Sequence, residues 1–468
     1  MPIDDFAGLD ATAQALLVRS GKASSRELVE AAIERIERLN PALNAVIHER
    51  FEKARQEAAA PHSGPFRGVP TLAKDISCQT AGDPFSCGMR FLRDRGWTEP
   101  DDAFIATRLR DAGFVFVGRT NTPELGLMPT TEPVAFGPTR NPWDVTRSPG
   151  GSSGGAAAAV ASRMVPLAHA TDSGGSIRIP SSACALVGLK PSRGLLVDEG
   201  STLGGLNVQH VVTRSVRDTA ALLDVLAAST PVRPFTEAVA AEPERLRVGL
   251  MTKVPGGLTP VHPDCVAAAE DAATLMESLG HAVDRSHPAA LDEIEHIIHY
   301  GAITGADTAA KLDFWSDRTG ERIGGEDVEP GTWALAEMGR TITREQLRDS
   351  LAWCARYAPR MAAWWDEGFD LLLTPTLAEP PPPLGELVST REAPLSAALR
   401  AGAIVPFTPP FNTTGQPAIS LPLHWNDAGL PIGIQLVAAA RRDDLLVRVA
   451  AQLERARSWS DRRPPASA

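Results

Sequence analysis

Apolar positions along the chain alternate between two spacings. Between residues 8 and 39 they recur every three or four residues, which predicts two amphipathic helices, 8–20 and 24–39. In the second, Leu28, Ala32, Ile33, Ile36 and Leu39 share a face, Ser24 and Glu27 form a capping box, and Asn40-Pro41 is expected to stop the helix. A third helix is expected from about Ala45 to Ala60. From Gly68 the texture changes to short apolar runs. Residues 68–76 read as a strand carrying Lys74, 114–118 as a buried strand followed by the loop 119–124, and 165–170 as another strand. Helical patterns at 103–112 and 156–164 lie between them. Further on come helices at 215–226 and 263–279, strands at 246–250 and 281–284, and a mostly helical stretch at 290–367. The chain then reads strand–loop–strand over 411–437 and ends in a helix at 443–456. The alternation predicts an α/β protein with helices covering a sheet. Residues 229–244, with three prolines, read as a loop or hinge, and Pro380–Pro383 as a rigid surface loop.

Composition narrows the picture. A length of 468 residues suggests about three domains, although large α/β enzymes often form one. The net charge of −11 argues against nucleic acid or anionic membrane as partner. No apolar run reaches a membrane span and the N-terminus has no signal-peptide pattern, so a soluble cytoplasmic protein is expected. Five scattered cysteines point to reduced thiols. Glu293-x-x-His296-x-x-His299 would stack on one helical face, but a lone set of this kind points to packing, so no metal is expected. The tryptophans at 315, 333, 353, 364 and 365 suit core packing or an apolar pocket.

The stretch 146–180 holds two glycine-flanked serine clusters, Gly150-Gly-Ser152-Ser153-Gly-Gly155 and Asp172-Ser-Gly-Gly-Ser176. Such loops let a substrate approach the main chain and leave N–H groups free to face a developing negative charge. A helix and a strand between them could return Ser152 to Ser176. Lys74 is set in an apolar strand, and desolvating a lysine is expensive. It either snorkels or pairs with Asp75, or burial holds it neutral as a base; the strand alone favours the former. Gly150-x-Ser152-x-Gly154 formally matches a nucleophile elbow, but the preceding segment is polar and broken by prolines, and neither His210 nor His424 has a recognisable context. A phosphate loop would need a lysine after the glycines.

The combination of Lys74, Ser152 and Ser176 resembles the amidase signature family of serine hydrolases. The likeness is densest over 64–194, in Gly68-Val-Pro-x-x-x-Lys74-Asp75, Gly118-Arg-Thr-Asn-Thr-Pro-Glu124, 150–155, Thr171-Asp-Ser-Gly-Gly-Ser-Ile-Arg-Ile-Pro180 and Gly188–Gly194. It continues in 411–422 and 431–436. Within the family, residues 130–133, 139–143 and 416–422 carry a closer likeness to nylon-oligomer hydrolases. His169-Ala170 departs from the usual pattern and is not expected to touch the chemistry.

The resemblance implies an amidase signature fold with a large mixed β-sheet covered on both faces. The chain would be one domain: N-terminal helices at 1–62, a catalytic core at 64–195 and a variable helical pocket region at 283–367. Ser176 would be the nucleophile, Ser152 a bridging serine at a cis peptide, and Lys74 the base. The amides of Ser173, Gly174, Gly175 and Ser176 would form the oxyanion hole. Ser153, Asp172 and Arg178 would support, and Met128, Thr130 and Gln416 would be pocket candidates. A serine hydroxyl needs a base, and keeping a lysine of ordinary pKa near 10.4 neutral at pH 7 costs roughly 4 kcal/mol, within what burial imposes. No cofactor is implied. The expected substrate is a small neutral amide, with carbamate or ester cleavage and a glutaminase-type amidotransferase subunit as alternatives. The N-terminal helices suit a homodimer.

Overall fold

The computed structural model describes residues 6–60, 63–196, 203–229, 231 and 233–468. The chain opens with α1 (Ala11–Arg19), α2 (Ser25–Leu43), β1 (Val46–Glu49), α3 (Phe51–Ala58), β2 (Pro70–Lys74), α4 (Arg90–Asp94), α5 (Phe104–Asp111) and β3 (Val115–Thr120). The serine-rich segment gives α6 (Gly154–Ala161), β4 (Leu167–Asp172), α7 (Arg178–Cys184) and β5 (Val187–Lys190). After β6 (Val208–Thr213) come α8 (Val216–Leu226), α9 (Phe235–Ala238), β7 (Arg247–Leu250), α10 (Pro263–Ser278) and β8 (Ala282–Asp284). Three long helices follow, α11 (Glu295–Thr319), α12 (Pro330–Thr341) and α13 (Arg344–Asp366). The chain closes with β9 (Leu371–Pro375), α14 (Ser396–Ile404), α15 (Pro409–Thr414), β10 (Ala418–Trp425), β11 (Pro431–Ala438) and α16 (Asp443–Ala456).

Eight strands form one mixed sheet in the order β4-β6-β5-β10-β11-β9-β7-β8, antiparallel except where β7 pairs with β9 and β8. Its strands alternate between two covered faces. Ile432, Ile434 and Leu436 of β11 pack with apolar residues of α8, α10 and α16, whereas Gly433 and Gln435 meet Ser182 and Arg178 of α7. The expected large mixed sheet with helices on both faces is therefore present. A separate three-stranded sheet, β1-β3-β2, carries Lys74 at the end of its parallel β2–β3 pair. Thr71 Oγ1 donates to the Leu167 carbonyl at 3.2 Å and ties β2 to β4.

Several elements differ from the sequence reading for identifiable reasons. α2 runs through Pro41 to Leu43, because a proline in the last turn forfeits only one helical bond. The Asn40 side chain accepts the amides of Ala45 and Val46, and Asn44 closes the helix in a left-handed conformation. Residues 46–49 are a strand instead of the start of a helix, since β-branched Val46 and Ile47 take the open edge of β3. β3 extends into the expected loop to include Arg119 and Thr120. Residues 409–414 are helical. The 229–244 segment contains α9, with residues 230 and 232 outside the described set. Pro381 and Pro382 are buried, the Pro382 carbonyl accepting the Ser148 amide, so 380–383 is not merely a surface loop. No helix among the described residues is long and apolar enough to cross a membrane.

Candidate active site

Lys74 is buried without exposure, and the reason it can be is its coordination. Nζ lies 2.7 Å from Ser152 Oγ, 2.9 Å from Ser153 Oγ and 2.9 Å from Thr171 Oγ1. These three hydroxyls come from two elements. The first is the turn leading into α6, where the Gly151–Ser152 peptide is cis and Thr122 Oγ1 donates to the Ser152 carbonyl. The second is the end of β4. Asp75, one residue on, faces elsewhere: it accepts the amides of Ser86 and Gly88 at 3.0 Å and the Ser86 hydroxyl, with Arg119 at 3.7 Å. Pairing with Asp75 and snorkelling are thus both excluded. Burial drives the lysine pKa well below its ordinary value, helped by Lys311 and opposed by Asp172. A neutral amine keeps all three contacts only if one hydroxyl donates to Nζ.

Ser176 follows β4, and with Ser152, Thr171 and Ser173 it borders a cavity of about 670 Å³. Residues of both serine clusters thus border one cavity. Its walls include Phe85 and Leu125 from the region before the serines and Phe314 and Trp315 from α11. Two ion pairs also border it, Asp307–Lys311 at 2.7 Å and Glu99–Arg318 at 2.5 Å. Trp315 therefore serves the cavity, whereas Trp364 packs against Phe369 in the core. A smaller cavity of about 480 Å³, bordered by Arg90, Glu124, Glu329 and Trp333, contains none of the serines.

Asp172 and Arg178 form the base of the Ser173–Ser176 turn. Arg178 meets Asp172 through Nε and Nη2, both at 2.9 Å. Its remaining N–H groups go to Asn412 Oδ1, the Thr408 carbonyl and Gln435 Oε1. Burial would raise the Asp172 pKa, but Arg178 and Asn412 hold it at about 2. Asp172 Oδ1 also takes the Gly175 amide at 2.7 Å, and Oδ2 that of Ile177. Of the four amides expected to form an oxyanion hole, Gly175's is therefore turned to the carboxylate.

The three pocket candidates do not border the serine cavity. The carbonyls of Met128 and Thr130, not their side chains, press on Gly151, and Met128 packs against an apolar cluster that includes Ile179 and Leu377. Gln416 is held by Thr414 Oγ1 and the Ala438 carbonyl. Glu293, His296 and His299 do not converge: they meet Arg360, Thr413 and Ser350 respectively. His169 is buried against Gln209, and burial pushes its pKa down to about 3, so it stays neutral. A second buried lysine, Lys190, reaches the Pro191 carbonyl and does not border the cavity. Sequence reasoning assigned no role to Thr171, Asn412 or Gln435, although all three stand in the segments 171–180, 411–422 and 431–436 that carry the family likeness.

The amidase family profile matches residues 27–447. The chain is 42% identical to the 6-aminohexanoate-cyclic-dimer hydrolase of Paenarthrobacter ureafaciens, covering 97% of this chain and 96% of that protein. It superposes on the structure of 6-aminohexanoate cyclic dimer hydrolase complexed with substrate with a TM-score of 0.95, at 41% identity over 98% of this chain and 99% of that one. A bacterial aryl acylamidase of the amidase signature family gives a TM-score of 0.85 at 29% identity, over 97% of each chain.

Proposed function

The chain belongs to the amidase family, and from that premise we propose that it hydrolyses C–N amide bonds of small neutral substrates through Ser176, Ser152 and Lys74. The observation that carries the reading is a fully buried lysine bonded to three hydroxyls and no carboxylate beside a cavity. In this mechanism neutral Lys74 takes the Ser176 proton by way of Ser152 as Ser176 Oγ attacks the carbonyl carbon. The tetrahedral oxyanion is met by backbone amides of the 173–176 turn, a removed donor of this kind costing about 2.7–4 kcal/mol. The proton then passes to the departing nitrogen, since an amine anion leaves poorly. Water, deprotonated along the same path, releases the acyl group.

The mixture of aromatic walls and internally paired ions suits an uncharged substrate with an apolar part. The cyclic-dimer hydrolases suggest an aminohexanoate amide, and the aryl acylamidase an anilide. Carbamates are the alternative, because the same acyl transfer operates on a urethane carbonyl.

The test is turnover by the purified single chain on an anilide, linear and cyclic aminohexanoate dimers, an aryl carbamate and glutamine. Each substrate is also run with Ser176→Ala. Hydrolysis of one of the first four, abolished in Ser176→Ala, is expected. Full activity in that variant would overturn the mechanism. Glutamine hydrolysis only with an added partner would point to an amidotransferase subunit instead.

A further inference from the structure

Two successive peptide planes in the turn before Ser176 are held by side chains from distant parts of the chain. Thr408 Oγ1 donates to the Gly174 carbonyl at 2.6 Å. The other end of that plane, the Gly175 amide, donates to Asp172 Oδ1 at 2.7 Å. This plane is fixed at both ends and has no donor to spare. The preceding plane is different. Tyr300 Oη, on α11, donates to the Ser173 carbonyl at 3.2 Å. The peptide is trans, so the Gly174 N–H points opposite to that carbonyl, away from Tyr300. Asp172 does not take it.

The two glycines match the two clamps. A Cβ at Gly174 would collide with the Tyr300 hydroxyl, and a Cβ at Gly175 with the Thr408 hydroxyl. Burial pushes the Tyr300 phenol up to about 12, so it remains a donor across neutral pH. Ser173 is further anchored by its hydroxyl on Asn207 Oδ1 at 3.0 Å, which leaves Tyr300 as the side chain that fixes the tilt of the plane itself.

We propose that Tyr300 is a positioning residue for transition-state stabilisation: by holding the Ser173 carbonyl it aims the Gly174 amide at the oxyanion. The proposal rests on the serine–lysine mechanism above. It also gives the pocket helix α11 two tasks, since the same helix supplies Phe314 and Trp315 to the cavity wall.

The test is Tyr300→Phe in the full-length enzyme, which deletes one hydroxyl and keeps the ring. Turnover of 4-nitroacetanilide, or of whichever panel substrate is hydrolysed, is measured beside inhibition by phenylboronic acid, whose adduct with serine is tetrahedral and anionic. Losing an oxyanion donor outright costs 10²–10³ in kcat; misaiming one is expected to lower kcat roughly ten- to fifty-fold with KM nearly unchanged. Phenylboronic acid should weaken in parallel. A kcat within twofold of wild type, or a loss confined to KM, would overturn the proposal. Thermal melting separates misfolding from misaiming, and a destabilised variant is assayed well below its melt. Ser176→Ala divides the outcomes: a silent Tyr300→Phe beside a dead Ser176→Ala removes only the role of Tyr300, whereas an active Ser176→Ala removes both.

Discussion

Two cations are sealed into this protein on either side of Asp172, and they are treated in opposite ways. Arg178 finds a carboxylate, an amide side chain on each flank and a backbone carbonyl, so every N–H of its guanidinium has an acceptor. Lys74 finds three hydroxyls and no carboxylate. Both have lost water entirely. A guanidinium keeps its charge in any protein environment, and the carboxylate in contact with it offsets the desolvation cost. Where only hydroxyls are in contact, desolvation prevails and the ammonium is driven to give up its proton. A buried positive charge is thus structural in one region and dischargeable in the other. The second is the condition a general base must meet.

Replacing each cation's environment separates the two regions, and the largest effect is on turnover. Lys74→Met should bring hydrolysis below detection while making the protein more stable at neutral pH. The sign follows from the lowered lysine pKa. Between that value and the ordinary 10.5, the unfolded chain binds a proton the native one does not, so stability rises with pH. The methionine's advantage should therefore be clear at pH 7 and shrink by pH 10, as read by thermal melting. A stability difference that does not change between pH 7 and pH 10 would show that the lysine is charged in place.

Asp172→Ala should instead lower stability, because it leaves the Arg178 charge buried and unpaired. Removing one partner of such a pair costs about 3–5 kcal/mol, measurable by urea unfolding at pH 7. In the wild type the contribution of Asp172 is present above the unfolded value of 3.8 and is lost as pH falls through about 2. Unfolding of the variant by less than about 1 kcal/mol would mean that Asn412 and Gln435 suffice to hold the guanidinium, since neutral hydrogen bonds carry energies of that order.

The contrast between these regions also explains what was legible in the sequence. Lys74, Ser152 and Ser176 lie in glycine-marked motifs; a helix and a strand joining two loops suggested that Ser152 returns to Ser176, whereas Lys74 joined them only through the family resemblance. The partners of Arg178 other than Asp172, namely Thr408, Asn412 and Gln435, lie more than 200 residues away along the chain. Asn412 and Gln435 stand in segments that carry the family likeness, but no local pattern links them to position 178. The early strand at 46–49 was hidden for a related reason: its pairing with β3 exists only after long-range docking. The pocket candidates failed because Met128 and Thr130 contribute backbone, which side-chain identity does not report. Nothing about a single tyrosine on a helix marks Tyr300 as touching a loop 127 positions earlier.

The finest distinction concerns the hydroxyl cluster itself. If the three hydroxyls set how readily Lys74 is discharged, each should tune the acid limb of kcat/KM and none should be wholly structural. Thr171→Val keeps the shape of the side chain and removes one acceptor from Nζ. Thr171 is the suitable position because Ser152 lies on the proposed proton path and Ser153 also meets the Thr171 backbone. A lost hydrogen bond to the charged form makes the ammonium less favourable, so the lysine pKa falls further and the base is available at lower pH. With a hydrogen bond worth about 0.5–1.5 kcal/mol and 1.36 kcal/mol per pH unit, the acid limb should move down by roughly half a unit to one unit. The plateau at higher pH should change little, because the geometry of Ser152 and Ser176 is untouched. A limb that moved upward would mean that Thr171 stabilises the neutral amine by donating to it. The comparison would then need redrawing, with the hydroxyls holding the lysine discharged alongside burial.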